Sequence, residues 1–187
     1  MGKKKLLVVV DMQNDFIDGA LGTKEAQSIV NNVKEKLEKA SGDNDTRIVY
    51  TMDTHYDNFY EQSEEGKNLP VKHCIYKTNG WKINDLVDRY SHIYYKKTTF
   101  GSDELFETLA DIGYYQEYDE IELVGLCTDI CVISNAIICK TAQPNAHIVV
   151  DASCCAGVTP YSHDVAIEAM KTLQIEIRNE GKEPWRE

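Results

Sequence analysis

The sequence predicts an α/β protein with three layers, α/β/α, around a six-stranded, mostly parallel sheet, and two observations carry that expectation. Short β-branched runs alternate with segments whose apolar residues recur at helical spacing, the pattern of successive βα units. The chain is 187 residues long, enough for one such unit with a full core and too short for a second, so residues 1–187 read as a single domain.

The first strand is the apolar run 6–10, and Ala26, Ile29, Val30, Val33, Leu37 and Ala40 then repeat at helical spacing, with Ser41 and Gly42 as the stop signal. A second strand covers 47–52. No clean period marks residues 54–80, and a connection of that length without evident structure is usually functional. A third strand follows at 92–96. After Ser102, a helix presents Leu105, Leu109 and Ile112 to the core. A fourth strand at 120–126 leads into a helix from Asp129 to about Lys140, a fifth strand covers 147–150, and Ser162 precedes a helix with Val165, Ala169, Met170 and Leu173 inward. A short strand at 175–178 completes the sheet.

Composition narrows the functional classes. Twenty Lys and Arg face 31 Asp and Glu, a formal net charge of −11, which repels nucleic acid. No apolar run reaches the roughly 18 residues of a membrane helix. The segment after Lys3, Lys4 and Lys5 is interrupted by Asp11, too early for a secretory signal, so a cytoplasmic location is expected. Six cysteines spread unevenly read as reduced thiols rather than a disulfide framework or a zinc ribbon.

In open α/β sheets ligands bind beyond the carboxyl ends of the strands. The residues there are Asp11, Asp53 with His55, Lys97, and Cys131. Cys131 falls in the first turn of the helix after the fourth strand, where the helix dipole favours a thiolate; a small core residue is the other reading. Asp11 follows five apolar residues, so burial would raise its pKa into the range of a proton carrier, unless it caps a turn. Lys97 is a site cation or a solvated strand end. Together the three supply a base, a cation and a thiol. Asp53, His55 and His73 form a ligand set for an open divalent-metal site. Glu65 could add a fourth ligand, although the acidic run 61–65 reads more simply as solvated.

These residues carry a resemblance that spans nearly the whole chain. Asp11-Met12-Gln13-Asn14-Asp15-Phe16 resembles the D-x-Q-x-D-F element of the isochorismatase-like cysteine hydrolases, whose first Asp is catalytic. Gly125-Leu126-Cys127-Thr128-Asp129-Ile130-Cys131-Val132 resembles their G-x-x-T-D-x-C-V element, whose Cys is the nucleophile. Asp53, His55 and Pro70-Val71-Lys72-His73-Cys74 are similar to the metal ligands of the nicotinamidase branch. The resemblance implies the isochorismatase-like hydrolase fold, with Asp11, Lys97 and Cys131 catalytic. Lys97 is preferred to Lys96 because it precedes Phe100 by three residues, as the family lysine precedes an aromatic. A cis peptide at Leu126–Cys127 and an oxyanion hole from the backbone N–H groups of Cys127 and Cys131 are also implied.

The expected activity is hydrolysis of a small amide, nicotinamide first, through a Cys131 thioester, with one divalent metal at Asp53, His55 and His73. Zinc suits the ligands best, iron and manganese are admissible, and no organic cofactor is required. Phe16 offers an aromatic pocket wall. The resemblance further implies a homo-oligomer, dimer or tetramer. Thr54 and Leu69 stand where nicotinamidases often carry Trp, and Thr99-Phe100-Gly101-Ser102 replaces a tyrosine-serine element. N-carbamoyl or ureido compounds are therefore alternative substrates, and a silent ligand-binding protein of the same fold is the non-enzymatic alternative.

Overall fold

A computed structural model describes residues 2–112 and 118–186. Its strands are β1 Lys5–Val10, β2 Thr46–Asp53, β3 Tyr94–Lys97, β4 Glu120–Leu126, β5 His147–Ala156 and β6 Glu176–Arg178. Their order is β3-β2-β1-β4-β5-β6, and every neighbouring pair is parallel. The helices are α1 Asn14–Ile17, α2 Lys24–Ser41, α3 Asp57–Tyr60, α4 Glu64–Asn68, α5 Asp103–Ile112, α6 Ile133–Ala142 and α7 Pro160–Thr172.

Helix α2 covers one face of the sheet, burying Ala26, Ile29, Val30, Val33 and Leu37 with Leu7, Val9, Ile48 and Tyr50. The Thr23 hydroxyl caps its start by accepting from the Ala26 N–H at 3.0 Å. The opposite face takes Leu105 and Leu109 of α5, Ala136 and Cys139 of α6, and Ile167 and Met170 of α7 against Leu6, Val8, Ile121 and Val150. The Ile112 side chain lies outside the described residues.

Three expectations are adjusted. Strand β5 runs on past residue 150 to Ala156, with Asp151 accommodated by Lys36 at 2.6 Å and by Asn179. Helix α7 starts at Pro160, where Thr159 and Ser162 form a capping box. Its buried stripe is His163, Ala166, Ile167 and Met170, while Val165 and Leu173 are exposed. Residues 54–80 contain α3 and α4, each under two turns and so too short to show a period.

The topology fixes where a ligand can enter. From β1 the chain crosses to β2 on one side, while β4 adjoins β1 on the other, so the loops after β1 and β4 part and leave a crevice. Gly125 lets the two strands meet there. Its φ is +120°, and a Cβ would lie 2.1 Å from the Val10 carbonyl oxygen.

Candidate active site

Strand register brings the reactive side chains together. Val10 pairs with Thr51 and with Gly125, and Asp53 pairs with Lys97, so the carboxyl ends of four strands lie level. Along β3 the pleat sends Tyr95 and Lys97 to one face and Tyr94 and Lys96 to the other. Lys97 is buried, whereas the exposed Lys96 lies over the rings of Tyr76 and Trp81. Lys97 is thus the lysine at the site.

The Lys97 Nζ lies 2.7 Å from Asp11 Oδ2, 3.5 Å from Cys131 Sγ and 3.7 Å from Asp53 Oδ1, and it donates to the Thr99 carbonyl at 3.0 Å. Asp11 is fully buried with φ +47°, a left-handed conformation that aspartate tolerates better than most residues. Its other oxygen accepts from the Thr51 hydroxyl at 2.7 Å. Burial raises the Asp11 carboxyl pKa, with Lys97 pulling the other way. Lys97 is held a protonated ammonium: burial opposes the charge, but the Asp11 and Asp53 carboxylates outweigh it.

Cys131 departs from the sequence expectation of a resting thiolate. It sits in a π-helical turn, Thr128–Val132, ahead of α6 rather than in a first α-helical turn. Burial, with the Asp11 charge adding to it, pushes its thiol pKa well above the usual range despite Lys97. The resting group is therefore a thiol with a proton acceptor close by. The Leu126–Cys127 peptide that precedes this turn is cis, as expected.

Asp53, His55, Glu65 and His73 make the second cluster, with one ligand atom of each within 4.8 Å of the others. His55 Nε2 lies 3.0 Å from Asp53 Oδ2 and 3.7 Å from Glu65 Oε2; His73 Nε2 lies 3.3 Å from Asp53 Oδ2 and 3.4 Å from Glu65 Oε1. Glu65, expected to be solvated, turns inward instead, because Ser63 caps α4 and packs Gly66 against the Tyr60 carbonyl. The donor chemistry fits a divalent ion. His55 Nε2 is buried without a hydrogen-bond partner, and His73 Nδ1 contacts the Val71 carbonyl at 2.9 Å, which turns its Nε2 lone pair toward the cluster. Without an ion, Asp53 and Glu65 raise the His73 pKa to about 10 against the effect of burial.

Between the two clusters lies a cavity of about 200 Å3. Cys131, Cys127, Asp53, Glu65 and His73 form its reactive side, and Phe16, Leu69, Phe100, Ile130 and Val158 its apolar side. Phe16 also packs on the His73 ring, centroids 5.5 Å apart. Asn135 fixes the Phe100 wall, donating to the carbonyls of Phe100 at 3.1 Å and Cys131 at 2.8 Å. Thr54 is buried and bonded to Trp81 Nε1 at 2.9 Å, away from the cavity walls, while Leu69 faces the cavity.

Two residues of the N-terminal element have roles that sequence position did not reveal. The Gln13 amide donates to the carbonyls of Asp53 and Trp81 and accepts from the Asp53 N–H, each at 2.8 Å. Asp15 accepts from the Cys74 N–H at 2.7 Å, next to His73. Asp11, Gln13, Asp15 and Phe16 thus serve the thiol side, the Asp53 backbone, the His73 loop and the cavity wall in turn.

Comparison with known proteins identifies the family and the fold. The isochorismatase domain model matches residues 5–179. The chain is 26% identical over 186 residues to the nicotinamidase/pyrazinamidase of Mycobacterium tuberculosis, covering 92% of this chain and 97% of that protein. It is 28% identical over 174 residues to the nicotinamidase of Saccharomyces cerevisiae, covering 71% and 80% respectively. Among solved structures, the pyrazinamidase of Pyrococcus horikoshii in complex with zinc superposes with a TM-score of 0.78 at 25% identity, covering 93% of this chain and 98% of that one.

Proposed function

Because the chain belongs to the isochorismatase domain family, we propose that it is a nicotinamidase-like amidohydrolase that converts nicotinamide and water to nicotinate and ammonia through a Cys131 thioester. The observation that carries this reading is the buried Lys97 ammonium set between the Asp11 carboxylate and the Cys131 sulfur, at 2.7 and 3.5 Å.

In this mechanism Asp11 accepts the thiol proton as Cys131 Sγ attacks the carboxamide carbon. Lys97 keeps the local charge balanced while the proton moves, so no bare thiolate has to persist in the buried site. The carbonyl oxygen becomes an oxyanion that the Cys127 and Cys131 N–H groups receive, donors worth about 3 kcal/mol each in acyl transfer. Asp11 then passes its proton to the departing nitrogen, ammonia leaves, and the thioester remains. Water deprotonated by Asp11 adds to the thioester, the acid departs, and Cys131 regains its proton. Asp53, His55, Glu65 and His73 would hold a divalent ion, with zinc favoured by two imidazoles and two carboxylates. When bound, it supplies a Lewis-acid contact to a ring nitrogen, which orients the amide. Phe16 and Phe100 flank the ring.

The six free cysteines fit a reducing compartment, and we propose the cytoplasm. The test of the activity is ammonia release from nicotinamide by zinc-loaded protein beside Cys131→Ala. Release that disappears in the variant is expected. A folded, zinc-loaded wild type that releases none would reject nicotinamide and shift the search to N-carbamoyl and ureido amides.

A further inference from the structure

The mechanism above uses Cys127 and Cys131 but gives no task to Thr128 and Asp129 between them. Thr128 is tied down on the side away from the cavity, and Asp129 at the cavity's Val158 rim. The Thr128 Oγ1 lies 2.8 Å from His163 Nδ1, and His163 Nε2 lies 3.3 Å from Glu183 Oε1. All three residues are buried, at 0%, 0% and 3% exposure. Asp129 accepts from the Val158 N–H at 3.1 Å.

The surroundings hold His163 in one place and one tautomer. Glu183 is fixed by the Gly181 N–H at 3.2 Å and by Arg186, which also pairs with Asp164. The Trp185 ring meets the imidazole edge-on, centroids 5.1 Å apart. Gly157 lies so close to α7 that a Cβ there would come within 3.0 Å of the His163 backbone. With a carboxylate at Nε2, that nitrogen carries the proton, and Nδ1 accepts the Thr128 hydroxyl proton. Burial lowers the His163 pKa, against the pull of Glu183, so the neutral form persists.

We propose that Glu183 and His163 are positioning residues that hold the Thr128 hydroxyl, and through it hold the Cys127 and Cys131 N–H groups in register with the oxyanion. A carboxylate, an imidazole and a hydroxyl in a row also suggest a second nucleophile. That reading fails on placement: Thr128 is fully buried and is not among the cavity walls, whereas Cys127 and Cys131 are. The chain of contacts braces the turn from behind, and it makes the segment after β6 part of the site's support.

The catalytic part of the proposal rests on the amidohydrolase reading, so the experiment has one readout that depends on it and two that do not. Thr128→Val, Thr128→Ser and Glu183→Gln are compared with wild type for kcat and KM in ammonia release, for the alkylation rate of Cys131 by iodoacetamide, and for hydrogen exchange across residues 126–132. Alkylation forms no oxyanion, so a displaced oxyanion hole leaves it unchanged. The expected result for Thr128→Val and Glu183→Gln is a kcat at least tenfold lower, with KM and alkylation within threefold of wild type and faster exchange confined to 126–132. Thr128→Ser restores both kcat and exchange. Should wild type release no ammonia, the amidase reading falls, while faster exchange in Thr128→Val and its reversal in Thr128→Ser still support the brace. Unchanged exchange in Thr128→Val and Glu183→Gln, or a kcat loss that follows only the unfolded fraction or the alkylation rate, would overturn it.

Discussion

Replacing Asp11 by Asn keeps the side-chain shape but leaves one acceptor oxygen where Thr51 and Lys97 each use one, so the perturbation removes one buried charge and one acceptor. At 2.7 Å the attraction between Asp11 and Lys97 is about 6 kcal/mol at an effective dielectric of about 20. The substitution also removes the desolvation cost of the carboxylate, and Asp53, 3.7 Å from Lys97, remains as a second counter-ion. Because burial outweighs Lys97 in raising the Asp11 pKa, the ionised carboxylate adds no net stability to the fold, and the change in Tm should be small, within about 4 °C for a chain of this size. The kinetic effect is separate. Without a proton acceptor beside a thiol that burial holds protonated, kcat should drop by roughly 10^3, within the range of general acid–base contributions. Asp11 does not line the cavity, so KM for nicotinamide should stay within about threefold. Steady-state ammonia release and a thermal melt on the same preparation measure both. A folded Asp11→Asn enzyme that keeps more than about a tenth of wild-type kcat would refute the assignment of the base.

Other predictions test the remaining parts. His73→Ala, or chelation of the loaded enzyme, should raise KM roughly tenfold or more while kcat falls by less than about threefold, since in the proposed mechanism the ion would orient the ring; a large kcat loss at constant KM would contradict it. Lys36 joins Glu122 and Asp151 at 2.7 and 2.6 Å, and the Asp151 pKa is lowered by Lys36 against the effect of burial. Lys36→Met should cost about 2 kcal/mol at pH 7, less than a fully buried pair because Lys36 and Glu122 are partly exposed. A depressed carboxylate pKa stabilises the fold above the unfolded value, here 3.8, and that contribution fades as pH falls through the folded value. The stability gap between variant and wild type in urea melts should therefore narrow at acid pH, and an equal gap at pH 7 and well below pH 3.8 would count against the pair. Gly125→Ala should lose more than about 3 kcal/mol, read as Tm or soluble yield, because its Cβ would meet the Val10 carbonyl.

Residues whose role depends on position along their own strand are legible in the sequence, and those whose partners come from far away are not. Asp11, Asp53, Lys97 and Cys131 follow apolar runs, so the rule that ligands bind beyond strand ends collects them by position alone. The family resemblance, through its lysine-to-aromatic spacing at Phe100, prefers Lys97 to Lys96, and the pleat supplies the physical reason. Gln13 and Asp15 bind backbone groups 40 and 59 residues away, a relation that no local pattern encodes. Glu65 lies in an acidic run, and its inward turn depends on the short capped α4. His163 escapes notice because it occupies a core position of α7, where a polar residue interrupts the apolar period and shifts the inferred stripe to Val165 and Leu173.

The short element that begins at Asp11 gives catalytic competence a threshold character. Its alternate residues reach the thiol, the Asp53 backbone and the His73 loop, and all three reaches depend on β1 lying in one alignment between β2 and β4. A slip by one position would turn every side chain to the opposite face, disconnecting the three together rather than weakening one. Partly folded or misaligned chains should therefore be inert toward amides, and active-site titration of Cys131 during refolding should rise in step with completion of the central sheet.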